Sequence, residues 1–312
     1  MNKQKKTFRT GPISPQAWVA KKLMRVTIKR MLSAGMPVPV LRKSLGSNGP
    51  VRQLLRRWSG PRHQGKININ HIAAEWAGNT DAPVTLLYLH GGAYIFGGRS
   101  THRGLVGMIC EAANARGLLI DYRLAPENPF PAALEDAESC YDWLIEQGHD
   151  PARIVIAGDS AGGGLSLALL LKLRDAGKPL PRCAVLLSPW TDLTGSGESV
   201  VTRQIAEDML DGTKIWDAAA LYHADTPPDH PLVSPLFAEL AGLPPLLIQV
   251  GTDEILWDDA LRFDKKARES GVDCELQVYD GMPHVFQIVG KFVPEAAQAI
   301  RKIGEFINRK TG

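Results

Sequence analysis

The chain has 312 residues, 44% hydrophobic and 22% charged, a balance that excludes wholesale disorder and allows a full-sized core. Its four cysteines, at 110, 140, 183 and 274, are too scattered for a zinc cluster or a disulfide framework. The net charge of +3 hides a division: residues 1–66 hold sixteen Lys and Arg and no acid, while the remainder carries 20 basic against 33 acidic residues.

In chain order, Ser14-Pro15 reads as an N-cap followed by proline at the first helical position. Val19, Leu23 and Val26 share a row of that helix, and Lys21, Lys22, Arg25 and Lys29 spread over its polar face. This basic amphipathic helix is expected to pack on the protein itself. A membrane surface is the weaker reading, and no nucleic-acid motif accompanies it. No apolar run approaches the roughly 18 residues of a membrane span. The early cations interrupt any signal-peptide core, so a cytoplasmic protein without an integral membrane segment is expected.

From residue 66 onward, strands and helices alternate. Lys66–Trp76 reads as extended. Val84–His90, Gly117–Leu124, Arg153–Ala157, Cys183–Pro189, Pro245–Gly251 and Cys274–Tyr279 read as buried strands. Pro131–Glu146, Ala161–Arg174, Glu254–Ser270 and Pro294–Asn308 read as helices. The pattern predicts an α/β fold with a mostly parallel sheet and helices on both faces. Residues 195–230 break the rhythm around a short helix near Glu207–Leu221, as an insertion at the sheet's C-terminal edge would.

Gly158-Asp159-Ser160-Ala161-Gly162 follows a strand and opens a helix, the context a G-x-S-x-G nucleophile elbow requires. Neither a dinucleotide loop nor a P-loop fits these residues. The glycines leave room for a strained turn, and the helix N-terminus favours negative charge near Ser160. Upstream, His90-Gly91-Gly92-Ala93-Tyr94 ends a buried strand in a turn that exposes backbone N–H groups. With Ala161, the N–H groups of Gly91 and Gly92 are candidates for an oxyanion hole. His90 is expected to pin this loop and take no part in chemistry.

Of eight histidines, His284 follows the last strand and its turn, so it is the candidate base. Asp253 is the first carboxylate after the strand Pro245–Gly251 and is expected to orient it. Glu254, Asp258 and Asp259 are rivals, and Asp253 could instead cap the following helix. The order Ser160, Asp253, His284 is that of α/β-hydrolases. Trp18, Trp190, Trp216 and Tyr94 are candidate pocket aromatics, with core packing as the competing role.

Together, the stretches 90–94, 121–127, 130–133, 158–162, 188–193, 253–256 and 284–286 resemble the hormone-sensitive-lipase-like branch of the α/β-hydrolase esterases. The resemblance runs from about residue 75 to the C-terminus. It implies an α/β-hydrolase catalytic domain over residues 46–194 and 231–312. It also implies a helical cap built from residues 1–45 and the insertion 195–230. The activity implied is a serine carboxylesterase acting on short- to medium-chain esters through an acyl-enzyme, with no metal and no organic cofactor. A lactone hydrolase, deacetylase or amidase would use the same triad. A non-catalytic small-molecule receptor is the alternative from a different class, and His284 argues against it, because the related plant gibberellin receptors have lost that residue. The expected partner is a small-molecule ester, with no nucleic acid. The resemblance also allows a homodimer through the final strand and helix near Leu276–Ile307.

Overall fold

The computed structural model describes residues 7–9, 11–45 and 63–312. Residues 1–6, 10 and 46–62 lie outside it, among them Lys3, Lys5 and Lys6 and the basic residues between 52 and 62. Among the described residues, nine strands form one sheet: β1 (Thr7–Arg9), β2 (His63–Ile69), β3 (Ile72–Gly78), β4 (Val84–Leu89), β5 (Ala115–Asp121), β6 (Ile154–Asp159), β7 (Cys183–Leu187), β8 (Leu246–Gly251) and β9 (Cys274–Tyr279). Their spatial order is β1-β9-β8-β7-β6-β4-β5-β3-β2. Among these described strands, the β2–β3 and β3–β5 pairs are antiparallel and the other pairs are parallel. The segment read as one extended piece near residues 66–76 is therefore a hairpin that turns at Asn70-His71, with Asn70 in the left-handed region.

The helices are α1 (Pro15–Met24), α2 (Arg30–Ser33), α3 (Val38–Leu45), α4 (Arg99–Ala113), α5 (Ala132–Glu146), α6 (Ala161–Asp175), α7 (Ser199–Thr202), α8 (Ile215–His223), α9 (Trp257–Glu269) and α10 (Pro294–Thr311). A π-helical turn, Arg25–Lys29, joins α1 to α2.

The apolar runs become strands because both of their faces are covered. In β4, Leu87 and Leu89 join the core beneath α5, α6 and α9, whereas Leu86 and Tyr88 join the core beneath α4 and α10. This two-sided burial explains a strand with no polar alternation. All the parallel strands from β4 to β9 end on one edge of the sheet. That edge receives Gly91 after β4, Ser160 after β6, Glu254 after β8 and His284 after β9.

Ser14 caps α1 as its sequence predicts, accepting from the Ala17 N–H at 3.1 Å, with Pro15 next. The face that α1 buries is not the predicted one. Ala17, Ala20 and Met24 pack against Phe286, Val289 and Val293, while Val19, Leu23 and Val26 are exposed. Small residues allow the helix to approach that layer closely, which larger aliphatic side chains would prevent. The extreme N-terminus also departs from the cap assignment, since β1 joins the sheet beside β9. The outer edge of β9 is thus occupied, and a second chain extending the sheet there would have to displace β1. Among the described residues, no helix is long and apolar enough to cross a membrane.

Ile156 is fully buried at the middle of β6, between Leu87 and Ala184. Ile156→Ala is expected to cost about 2–5 kcal/mol. Urea unfolding should show this as a lower midpoint with an unchanged slope.

Candidate active site

Ser160 stands between β6 and α6 with φ 53° and ψ −121°, a conformation rarely adopted by a residue with a side chain. The turn is held from three directions. The Ser160 N–H donates to the Leu187 carbonyl at 2.8 Å, and the Ser160 carbonyl accepts from Trp190 and Gly163, both at 2.9 Å. The elbow needs glycine at 162, where a Cβ would collide with the Leu89 and His90 carbonyls. Ser160 lines a cavity of about 550 Å³ together with His284, Gly91, Gly92 and Ala93.

His284 is 1% exposed. Its Nδ1 donates to Glu254 Oε2 at 2.7 Å, which fixes the tautomer with the proton on Nδ1. Its Nε2 is buried and has no partner among the described residues. Burial alone would lower the His284 pKa. The bond and charge of Glu254, then the charges of Glu207 and Asp159, outweigh burial and raise it above the ordinary histidine value.

The carboxylate on the histidine is therefore Glu254, which corrects the expectation for Asp253. Glu254 Oε1 accepts from the Gly251 N–H at 2.7 Å and from Ser188 Oγ at 2.8 Å, leaving Oε2 for the imidazole. Asp253 points outward and accepts from Lys21 Nζ at 2.5 Å. The turn after β8 decides between them, because the Asp253 N–H is tied to the Met282 carbonyl at 3.0 Å and its side chain faces away. The other rivals are occupied elsewhere. Asp258 accepts from the Ser199 N–H, and Asp259 accepts from the N–H groups of Thr191 and Asp192.

The Gly91 N–H is also committed. It donates to Asp159 Oδ1 at 3.0 Å inside a buried network. Tyr88 donates to the same oxygen at 2.7 Å, and His102 Nε2 lies 3.2 Å from Oδ2. Burial would push the Asp159 carboxyl up, but the charge and bond of His102 and the bonds from Tyr88 and Gly91 hold it below its ordinary value. The expected oxyanion donor Gly91 is thus a structural donor. Gly92 and Ala93, both with positive φ, and Ala161, at the first position of α6, have N–H groups with no hydrogen bond to another described residue. His90 does pin the loop. Its Nδ1 bonds the Gly91 carbonyl at 2.8 Å and its ring stacks on Tyr122. Burial, then the nearby charge of His102, lowers its pKa to about 4, so it stays neutral.

None of the four predicted aromatics lines the cavity. Trp18 is 56% exposed on α1. Trp190 is fully buried and donates to the Asp192 carbonyl. Tyr94 stacks on Tyr222 at 3.5 Å between centroids. Trp216 packs under Gly195. Most of the apolar wall is non-aromatic instead, with Ile28, Leu32, Met36, Val38, Leu210 and Leu221 among its residues and Phe96 as its phenyl ring. Apart from Phe96, these come from the N-terminal helices and the insertion. The basic face of the N-terminal helices is spent on acceptors: Arg25 on Asp208, Lys29 on the Gln204 and Glu207 carbonyls, and Arg42 on the Ile95 and Ala125 carbonyls. Among the described residues, no group of three or more His, Cys, Asp or Glu side chains could hold a metal ion.

Residues 86–288 match the model of a family described by its alpha/beta hydrolase fold. The chain is 45% identical over 248 residues to an acetyl-hydrolase of Streptomyces hygroscopicus, covering 79% of this chain and 83% of that protein. It is 39% identical to an esterase of Acinetobacter venetianus, covering 71% and 73%. A crystal structure of an esterase from the bacterial hormone-sensitive lipase family superposes with a TM-score of 0.88 at 40% identity, over 97% of this chain and 100% of that one.

Gly162→Ala should be poorly tolerated, because the carbonyls its Cβ would meet belong to fixed backbone. A loss of about 1–3 kcal/mol is expected from the overpacking. Thermal unfolding should register that loss, together with a fall in ester turnover as the elbow opens.

Proposed function

We propose that Ser160, His284 and Glu254 form the catalytic triad of this chain, which belongs to the alpha/beta hydrolase family and is a serine carboxylesterase of its hormone-sensitive-lipase-like branch. The observation that carries the triad is the buried imidazole of His284, bonded through Nδ1 to Glu254 while Nε2 has no partner among the described residues, beside the cavity that Ser160 lines. A neutral imidazole held in that tautomer presents a lone pair on Nε2 and can accept the Ser160 proton.

In this reading, Ser160 Oγ attacks the ester carbonyl as its proton passes to His284 Nε2. The N–H groups of Gly92, Ala93 and Ala161 receive the developing oxyanion. The C–O bond to the alcohol then breaks, and His284 returns the proton to the leaving oxygen. Water, deprotonated by His284, attacks the acyl-enzyme, and the acid leaves as Ser160 regains its proton. Glu254 holds the imidazole in place and stabilises the imidazolium formed in each half.

The substrate class follows from the cavity. Its largely apolar wall and volume of about 550 Å³ suit short- to medium-chain acyl groups. Residues 11–45 and 195–230 act as the cap, a role supported by the cavity residues they contribute. The four cysteines are buried free thiols, which suits a reducing compartment and supports a cytoplasmic location.

A p-nitrophenyl ester series from acetate to palmitate tests this reading. Turnover should peak at short or middle chains and vanish in Ser160→Ala. Glu254→Gln should lower kcat by about 10³–10⁴, the scale of losing the carboxylate that holds a catalytic histidine. Asp253→Asn should stay within a few-fold of wild type, and the reverse ranking would return the role to Asp253.

The pH profile gives a separate check. His284 must be neutral to act as base, and its pKa is raised by Glu254. The kcat/KM of the free enzyme is therefore expected to fall on the acid side through a value above about 6.5. A limb at or below that value would contradict the assignment.

A further inference from the structure

We propose that Glu207 is a positioning residue for the reaction, tying the insertion to the turn that carries Glu254 so that the histidine–carboxylate pair is held while the insertion is seated. The inference rests on the triad assigned above.

Glu207 is fully buried in the insertion, although glutamate is a residue that normally reaches solvent. Its carboxylate faces no Lys or Arg side chain among the described residues. Backbone donors surround it instead. Oε1 accepts from the N–H groups of Met209 at 2.7 Å and Leu210 at 3.2 Å. Oε2 reaches across to the Ile255 N–H at 3.1 Å. Ile255 is the residue after Glu254, so this one bond joins the insertion to the turn that presents the triad carboxylate.

A second tie supports the first. Ser199 Oγ donates to the Ile255 carbonyl at 2.6 Å, and its N–H donates to Asp258 at 2.8 Å. Both main-chain polar groups of Ile255 are therefore satisfied by the insertion, not by its own strand or helix. The neighbouring acid faces the other way. Asp208 pairs with Arg25 at 2.5 Å and lies 3.5 Å from Lys21. Two adjacent carboxylates thus join three parts: the N-terminal helix, the insertion and the catalytic turn. Met209 and Leu210, whose N–H groups Glu207 holds, line the cavity.

Among the described residues, the charges that raise the His284 pKa are those of Glu254 from the turn after β8, which also bonds it, then Glu207 from the insertion and Asp159 from the end of β6. Around Glu207, the charges of His284 and Glu254 act on the carboxylate, and Lys29 binds its main-chain carbonyl at 2.6 Å. Burial pushes the Glu207 carboxyl up. The charge of His284 and the N–H groups of Met209 and Ile255 pull against that shift without cancelling it.

The test compares Glu207→Gln and Glu207→Asp with wild type on p-nitrophenyl butyrate across pH, with Ser160→Ala run alongside. Gln removes the charge and offers Ile255 at best one shared acceptor. Its kcat should fall about tenfold to a hundredfold with KM little changed, the scale expected when a reacting group is misplaced. Its acid limb in kcat/KM should move to lower pH, because His284 loses a negative neighbour. Asp keeps the charge but is one methylene short. Its limb should stay at the wild-type position, with kcat between wild type and Gln. Wild-type kcat and limb in folded Glu207→Gln would overturn the proposal, as would a loss confined to KM. If circular dichroism shows that Glu207→Gln does not fold, Glu207→Asp decides: wild-type kcat in that variant overturns the proposal. Hydrolysis surviving in Ser160→Ala would instead refute the triad, and this inference with it.

Discussion

The carboxylate of Glu254 is buried with no lysine or arginine paired to it among the described residues, and the site is organised by how its charge is satisfied. Three donors meet it: the Gly251 N–H, Ser188 Oγ and His284 Nδ1. Each comes from a different strand end, so a single group gathers the ends of β8, β7 and β9. A buried charge without such partners would cost several kcal/mol. The same requirement sets the chemistry, because the donor from His284 must be Nδ1–H and Nε2 is then left as the free lone pair. The constraint that pins the sheet edge also fixes the tautomer of the proposed base.

Around this centre the charges are arranged in layers. Asp159, directly before the nucleophile, anchors the Gly91 loop by accepting the Gly91 N–H, and Tyr88 and His102 hold the same carboxylate. Further out, the cations of the N-terminal helices meet the acids and carbonyls of the insertion. Among the described residues, Lys21, Arg25, Lys29 and Arg42 of the basic segment therefore meet carboxylates or carbonyls of the rest of the same molecule. Exposed pairs of this kind typically contribute less than about 1 kcal/mol each. Asp208, buried against Arg25 and Lys21, belongs to a costlier class, since removing its partners would strand a desolvated carboxylate.

The alternating architecture was legible in the sequence because β4, β6, β7 and β8 are buried on both faces and read as nearly continuous apolar runs, interrupted only by residues such as Thr85 and Gln249. Ser160 and His284 were legible because motif and strand order place them on one edge. The choice between Asp253 and Glu254 was not, since a one-residue difference is settled by the tie from the Asp253 N–H to the Met282 carbonyl. Nor was the loss of Gly91 as an oxyanion donor, which depends on Asp159, 68 residues away. Helix α4 went unread because Gly104 and Gly107 and its mixed polar start conceal its period. The tryptophans misled because size signals burial without saying against what. The exposed stripe of α1 shows the converse, since Ala17 and Ala20 are buried because they are small.

The central claim is the His284–Glu254 bond and the tautomer it imposes. The most direct measurement is low-field proton NMR of protein labelled with ¹⁵N-histidine. The account predicts a protected, strongly downfield proton on His284 Nδ1 in wild type and in Asp253→Asn, lost in Glu254→Gln. A His284 proton residing on Nε2, or a resonance that survives Glu254→Gln and disappears in Asp253→Asn, would contradict it.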